Sequence, residues 1–288
     1  MLSSDEISRA VRAALAEDVG SGDVTTLATV PEDAVVTALM VAREPLVAAG
    51  LELAAAAFLE LCPRAGVRRG ASDGQRVPAG FELLTIVDAP ARAVLSAERV
   101  ALNFAQRLSG VATLTAQYAD AVSTTGARIL DTRKTTPGLR RLEKYAVVCG
   151  GGMNHRFGLF DGILIKDNHL AALRREPPNA IEAAVRRARA RCPQMPVEVE
   201  ADTVEQAEQA ALAGADIILL DNMPVEKLRA AVRLIRGRSM TEASGGVNLS
   251  NVRAIAETGV DFISVGALTH SARAVDIALD IAAAPDTQ

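Results

Sequence analysis

Between residues 127 and 266 short apolar runs alternate with longer amphipathic ones. The short runs are ARILDTRK, DGILIKDNH, VEVEAD, GADIILLDN, MTEASGG and GVDFISVGALTH, each closing on a polar residue or a glycine. The longer ones, AIEAAVRRARARC, VEQAEQAALAG, VEKLRAAVRLIRG and LSNVRAIAETG, place Ala, Val and Leu at helical spacing. Strand, helix, Gly-x-Asp and strand again is the rhythm of parallel βα units, in which a helix carries the chain back between strands. At least six strands are expected, with a seventh from a weaker stretch. Nearly every strand delivers a functional-looking residue at its C-terminal end, as barrel strands do, whereas an open sheet gathers ligands at one switch point. The expectation is therefore an incomplete, about seven-stranded parallel α/β barrel.

Residues 1 to about 108 follow a different plan. A first helix, the alternating VVTALMVARE, the Ala-rich LELAAAAFLELC and the turn-punctuated ASDGQRVPAGFELLTIV predict a small α+β sandwich. A further helix, SAERVALNFAQRL, is expected to start at an N-cap Ser96 and to stop at SGVAT. The domain reading is α/β throughout: an N-terminal sandwich over 1–108, a barrel over 109–267, and a C-terminal helix, SARAVDIALDIAAA, within 268–288 that packs back on the body.

Composition narrows the function. A chain of 288 residues, 49% hydrophobic, accommodates one large and one smaller core. A net charge of -4 argues against nucleic acid as a partner, because phosphate-tracking surfaces are basic across a whole face. Three scattered cysteines, Cys62, Cys149 and Cys192, suit a reducing compartment. The opening MLSSDEISRAVRAALAED lacks the basic-then-apolar plan of a signal peptide, and no apolar run reaches the ~18 residues that span a bilayer. A cytoplasmic protein without membrane contact is expected. No dinucleotide or Walker glycine loop is present, since CGGGMNHRFG fails both spacings.

Within this acidic chain, eight Arg and Lys residues from Arg128 to Lys166 face only Asp131, Glu143 and Asp161. Exposed ion pairs contribute only ~0.3–0.5 kcal/mol each, so three acids do not account for the cluster, and a counter-ion from outside is expected. On the strand VEVEAD, Glu198, Glu200 and Asp202 share one face and the small apolar residues the other, which directs the carboxylates into the barrel. Like charges ~4 Å apart cost about 4 kcal/mol at an effective dielectric of 20, so Lys166, Arg133 or Lys134 should stand opposite. For Glu198 the alternative is a structural ion pair. Asp221, at the end of IILLD, is either a ligand-facing carboxylate or a helix cap. Ser244, Gly245 and Gly246, then Gly266 and Ala267, fall where late barrel loops bind phosphate through backbone N–H groups. None of His155, His169 and His270 has zinc-pair spacing. His155 with Arg156 adds to the cationic wall, and positioning hydrogen bonds are expected of the other two. Arg99, in the stripe Arg99, Asn103, Arg107, reads as a solvated helix face.

The stretches AEDVGSGDVTT, LSAERVALNFAQRLSGVAT, DTRKTTPGLRRLEKYAV, GGGMNHRFGL, ILIKDNH, VEVE, ILLDN, EASGGV and VGALTHS occur together and in this order. In this the chain resembles the quinolinate phosphoribosyltransferases over nearly its whole length. The resemblance implies transfer of a phosphoribosyl group from phosphoribosyl pyrophosphate to quinolinate with loss of carbon dioxide, giving nicotinate mononucleotide and pyrophosphate in NAD biosynthesis, with Mg²⁺. It implies a homodimer with shared active sites, and leaves higher assembly open. It places Arg133, His155, Arg156 and Lys166 on the quinolinate carboxylates, and Arg99 in the partner's site, replacing the solvated-face reading. By the same resemblance Lys134 and Lys166 lie near pyrophosphate, Glu200 and Asp221 near the ribose hydroxyls and the metal, and Ser244 to Gly246 with Gly266 and Ala267 around the 5′-phosphate. Three other readings stand beside it: a related transferase acting on another base, a barrel aldolase using Lys166 as a Schiff-base amine, and a non-catalytic phosphosugar sensor, which would have no evident need for Glu200 and Asp221 beside the cations. The segment LRREPPNA, within 171–180, is left without an assigned conformation.

Overall fold

The structure is a computed structural model that describes residues 1–282. It divides into two compact units, one of Met1–Leu114, Arg141–Gly151 and the chain from Ala272 onward, the other of Thr115–Arg140 and Gly152–Ser271.

In the first unit, the helix Ser4–Asp18 begins in a capping box: the Ser3 hydroxyl accepts from Glu6 N–H and the Glu6 carboxylate accepts from Ser3 N–H. Its buried Val11 and Leu15 lie against the helix Leu51–Leu61, which buries Leu53, Ala54, Ala57 and Phe58 in turn. Under that helix run the strands β1 (Val35–Ala42), β3 (Gly66–Arg69) and β5 (Glu82–Pro90), with β2 (Leu46–Val47) and β4 (Arg76–Val77) paired beside them. Ala38, Met40, Leu84 and Ile86 are fully buried where β1 and β5 pair antiparallel.

The helix expected from Ser96 to the SGVAT stretch is longer, Ala91–Val122, and the expected domain boundary near 108 falls inside it. The small polar residues that read as a stop signal serve tertiary contacts instead. The Ser109 hydroxyl accepts from Ala49 N–H at 2.9 Å, and Thr113 Oγ1 accepts from Val47 N–H at 2.9 Å. Gly110 lets the backbone at Arg273 come close, since a Cβ there would stand 2.0 Å from the Arg273 carbonyl oxygen.

The second unit holds six parallel strands: β6 (Arg128–Leu130), β7 (Ile163–Ile165), β8 (Val197–Ala201), β9 (Ile217–Asp221), β10 (Met240–Ser244) and β11 (Phe262–Ser264). Their order is β6-β11-β10-β9-β8-β7. A single bridge, Leu130 to Met153, extends the edge beyond β6, so the seventh position is held by one residue rather than a strand. The repeated Gly-x-Asp has a physical role. Gly214 and Gly259 take positive φ after a helix, and two residues later Asp216 and Asp261 accept the N–H of Val197 and Thr241 on the neighbouring strand, at 2.6 and 2.7 Å. Val197, Val199, Ala201, Ile218, Leu220 and Ile263 are fully buried. Alternate positions therefore point to the other face of the sheet, the barrel interior. The 171–180 segment is the end of the helix Asp167–Ala172, a run of turns, and Asn179 as N-cap of the helix Ala180–Arg191.

The expected C-terminal helix is a strand. β12 (Ile277–Ala282) pairs antiparallel with β1, Met40 opposite Leu279, in a sheet of order β12-β1-β5-β3. An unpaired β1 edge would leave a row of backbone groups without partners, and pairing them outweighs the helix propensity of Ala and Leu. Asp280 accepts from Arg43 at 2.7 Å across the pair. The part of that expectation covering 283–288 lies outside the described residues.

Gly110→Ala should destabilise the protein by about 2–3 kcal/mol, even though Ala favours the helix by ~1 kcal/mol, because a packed carbonyl must move. Denaturant unfolding reads this directly; an unchanged midpoint would mean that the segment around Arg273 yields freely.

Candidate active site

The strand ends of the second unit surround one cavity of about 740 Å³. β6 leads into Thr132, Arg133 and Lys134, the segment after the Met153 bridge supplies His155 and Arg156, and β7 ends at Lys166. β8 and β9 contribute Glu200 and Asp221, β10 runs into Ser244, Gly245 and Gly246, and β11 is followed by Gly266 and Ala267. The site residues expected from sequence thus share one cavity, apart from Arg99. Arg99 is exposed on the helix Ala91–Val122 in the first unit and is not among the residues lining this cavity.

The cation cluster divides. Arg133, Lys134, Arg156 and Lys166 line the cavity, whereas the other basic residues of the DTRKTTPGLRRLEKY stretch do not. Arg140 donates to Thr135 Oγ1 and the Phe157 carbonyl, Arg141 pairs with Glu6 at 2.8 Å, and Lys144 is fully buried. The expectation that the whole cluster awaits an external counter-ion is corrected: residues 140–149 form a helix, so neighbours in sequence point in different directions.

Each cavity cation is held by a different device. Lys166 Nζ lies 2.7 Å from Glu200 Oε2, and its backbone N–H donates to His169 Nδ1, a positioning bond as expected of that histidine. The Lys134 carbonyl accepts from Thr269 at 2.8 Å. Arg133 keeps a buried Nε that has no hydrogen-bond partner among the described residues. Burial, and next the Arg133 charge beside it, lower the pKa of Arg156, while Glu198 and Asp161 oppose the shift.

Across the cavity, Asn222 sits at φ +51°, its N–H donating to the Ser244 carbonyl and its side chain to Asp221. Gly245 must be glycine here: φ is +90°, and a Cβ would meet Asn222 Oδ1 at 2.1 Å. Acidic oxygens of Glu200, Asp202 and Asp221 all lie within 4.8 Å of one another. Such an all-oxygen set suits a hard divalent cation.

Deeper in the barrel is a second acidic group that sequence reading resolved only in part. Glu198 and Glu242 are 5% and 1% exposed, and His155 Nε2 lies 3.0 Å from Glu198 Oε2 and 3.6 Å from Glu242 Oε2. The other His155 ring nitrogen, Nδ1, accepts from Arg156 N–H at 2.7 Å. Both ring nitrogens thus face protein groups. Glu198 follows the structural alternative raised for it. Glu242 was not anticipated, because in EASGG the glycines and serine drew the reading toward a turn; its place opposite Leu219 on the inward face is a matter of register. Burial, then the Glu198 charge, push the Glu242 carboxyl up to about 8, with His155 acting the other way. Glu198 and Ser264 are close enough to act on it, yet among the described residues neither Glu242 oxygen makes a hydrogen bond of good geometry.

Comparison with known proteins agrees with this geometry. The family model for the quinolinate phosphoribosyl transferase N-terminal domain matches residues 23–109, and that for the C-terminal domain residues 111–280. The nicotinate-nucleotide pyrophosphorylase (carboxylating) of Mycobacterium leprae is 48% identical over 98% of this chain and 100% of its own length. The probable counterpart from Bacillus subtilis is 43% identical over 92% of this chain and 90% of its own. The solved nicotinate-nucleotide pyrophosphorylase from Francisella tularensis superposes with a TM-score of 0.91 at 40% identity, covering 98% of each chain.

Glu242 links stability to pH. Its folded pKa lies above the unfolded carboxylate value, so the unfolded chain releases this proton first, and the group's contribution to stability falls as pH rises from about 4.5 toward about 8. Glu242→Gln should abolish that slope, at most about 1.4 kcal/mol per pH unit for one proton. Relative to the parent, the variant should gain stability between pH 5 and 8 and match it at pH 4. Parallel parent and variant curves across this range would show that Glu242 is ionised throughout.

Proposed function

Since the chain belongs to the quinolinate phosphoribosyltransferase family, we propose that it joins phosphoribosyl pyrophosphate to quinolinate and releases carbon dioxide, pyrophosphate and nicotinate mononucleotide, a step of NAD biosynthesis. One observation carries the reading: four cations, the acids Glu200, Asp221 and Glu242, and two glycine-bearing segments meet on a single cavity. That is the complement of two anionic molecules with a ribose between their charges.

In this reading Arg133 and Arg156 hold the quinolinate carboxylates, the unpartnered Arg133 Nε being one donor in need of an acceptor. Lys166 and Lys134 face the pyrophosphate. The turn Ser244–Gly246 and the N-terminal end of the segment Gly266–Ala267 offer backbone N–H groups to the 5′-phosphate. The ring nitrogen forms a bond to the anomeric carbon as the bond to pyrophosphate breaks. Glu200 and Asp221 favour the positive charge that develops on the ribose, and the cations favour the negative charge on the departing group. Once alkylated, the positively charged ring nitrogen stabilises the electron pair left on the adjacent carbon when the carbon–carboxylate bond breaks, and that carbon uses the pair to take a proton from water.

Glu200 and Asp221, with Asp202 beside them, are the residues that would hold Mg²⁺. When bound it neutralises pyrophosphate oxygens. Arg99, exposed and outside this cavity, is assigned to the site of a second copy in a homodimer. A cytoplasmic location accords with three free cysteines, and no helix among the described residues is long and apolar enough to cross a membrane. The Schiff-base alternative is disfavoured by the ion pair of Lys166 with Glu200, since that chemistry calls for a desolvated, unpaired amine.

The purified protein with quinolinate, phosphoribosyl pyrophosphate and Mg²⁺ should release carbon dioxide and form nicotinate mononucleotide. Nicotinate in place of quinolinate should be a poor acceptor, as one of its carboxylates is missing; equal turnover of the two would refute the assignment of the arginines. Lys166→Ala should lower turnover by more than ~100-fold, the scale for losing one preorganised charge stabiliser. Retention of most activity would remove Lys166 from the reaction.

A further inference from the structure

We propose that Glu198 and Glu242 are positioning residues: through His155 they form a buried strut that fixes Arg156 in the attitude in which it receives quinolinate. The inference rests on the proposed function and extends it to Glu198, which lies beneath the cavity, and to Glu242, which is buried in its floor.

Arg156 lies in a stretch without regular backbone pairing. After the Met153 bridge no helix or strand begins until Ile163, so side chains must set the conformation of the segment. Five such bonds bear on it. Asp131 Oδ1 accepts the His155 N–H at 2.8 Å. His155 Nδ1 accepts the Arg156 N–H at 2.7 Å. Asp161 accepts from Phe157 and Gly158 N–H at 2.6 and 2.8 Å, and Arg156 itself donates to the Gly162 carbonyl at 3.1 Å. Of these, the histidine bond is the one that reaches into the barrel. A ring that accepts at Nδ1 carries its hydrogen on Nε2, and this position faces Glu198 at 3.0 Å with Glu242 behind.

The arrangement settles what each member does. His155 has no ring nitrogen to spare for a ligand, so its contribution passes along the chain to Arg156. Glu198 receives the ring hydrogen, and its charge also acts on the Arg156 guanidinium. Glu242 fills the space behind this contact; a carboxyl that keeps its proton there adds no second negative charge to the floor. A purely structural ion pair would support the fold equally well, but it would not single out one substrate.

The test is steady-state kinetics with both substrates varied, on Glu242→Leu, Glu242→Gln and His155→Phe, each checked for folding by circular dichroism. Turnover of quinolinate by the unaltered protein tests the proposed function; ratios of variant to parent test the strut. In Glu242→Leu and His155→Phe the quinolinate KM should rise by about 10-fold or more, in line with the cost of a misplaced binding group, while the phosphoribosyl pyrophosphate KM stays within about 2-fold. Glu242→Gln should restore near-parent values, because an amide keeps the shape and neutrality of the protonated acid. The double variant Glu242→Leu with His155→Phe should be no worse than His155→Phe alone, as expected of groups acting through one element. Equal changes in both KM values, or additive losses, overturn the strut. Should Glu242→Leu fail to fold, His155→Phe decides on the same terms. Independently of any substrate, nitrogen-15 NMR of the three histidine rings should show His155 with hydrogen on Nε2 only; hydrogen on Nδ1 would also overturn the proposal.

Discussion

Positive side chains that face one cavity repel each other, and the second unit is arranged around that repulsion. Unit charges ~4 Å apart interact by about 4 kcal/mol at an effective dielectric of 20, less where water reaches them. Lys134 and Lys166 stand at the exposed rim, where solvent screens them. Arg133 and Arg156 are more enclosed, and their charges bear on each other. Acids placed directly among the guanidinium groups would cancel them and leave nothing for a ligand to bind. Here the balancing charge sits beneath instead, at Glu198, close enough to stabilise Arg156 and buried away from the mouth.

Such placement requires a backbone that holds side chains at defined depths, and a parallel sheet provides it. Glu198 and Glu242, on inward positions of β8 and β10, meet at His155 in the buried interior, whereas Glu200 and Ser244, one inward step further along the same strands, are partly exposed. Asp216 and Asp261 secure the opposite ends of the strands by capping the N–H of Val197 and Thr241, so the ladder cannot slip by a residue without losing those bonds. A slip of one would exchange the carboxylates with Val197 and Val199, burying charge against the helices.

The βα rhythm was legible because each unit repeats the same local signals: an apolar run, a capped helix, a glycine and an aspartate. The strand-end residues were legible for the same reason, since the strand they follow dictates where they go. What escaped was set by partners distant in sequence. Ser109 and Thr113 look like helix breakers until the backbone of Val47 and Ala49 is brought beside them. The Ala-rich stretch Ile277–Ala282 has good helix propensity, yet the open edge of β1 recruits it as a strand. Arg140, Arg141 and Lys144 crowd together in sequence, but a helix turns them toward three different surroundings. Glu242 is the clearest case: a lone glutamate before two glycines gains its character only from Glu198 and His155, 44 and 87 residues away.

Depth, more than residue type, separates the roles of Glu198, Glu200, Asp221 and Glu242. Glu200 and Asp221 lie near the mouth, partly exposed, one paired with a lysine and the other with an asparagine amide. In the proposed reaction such a carboxylate exchanges its partner for a ribose hydroxyl or a cation. Glu198 and Glu242 lie where water is excluded, and two adjacent carboxylates cannot both ionise cheaply, so one retains its proton. The upper pair is therefore suited to stabilising charge that appears during reaction, and the lower pair to holding geometry that must not change. One strand, β8, contributes to both layers through residues two positions apart, so any motion that displaced Glu198 would also shift Glu200. The rigidity of the floor and the placement of the acid at the mouth thus share a common backbone.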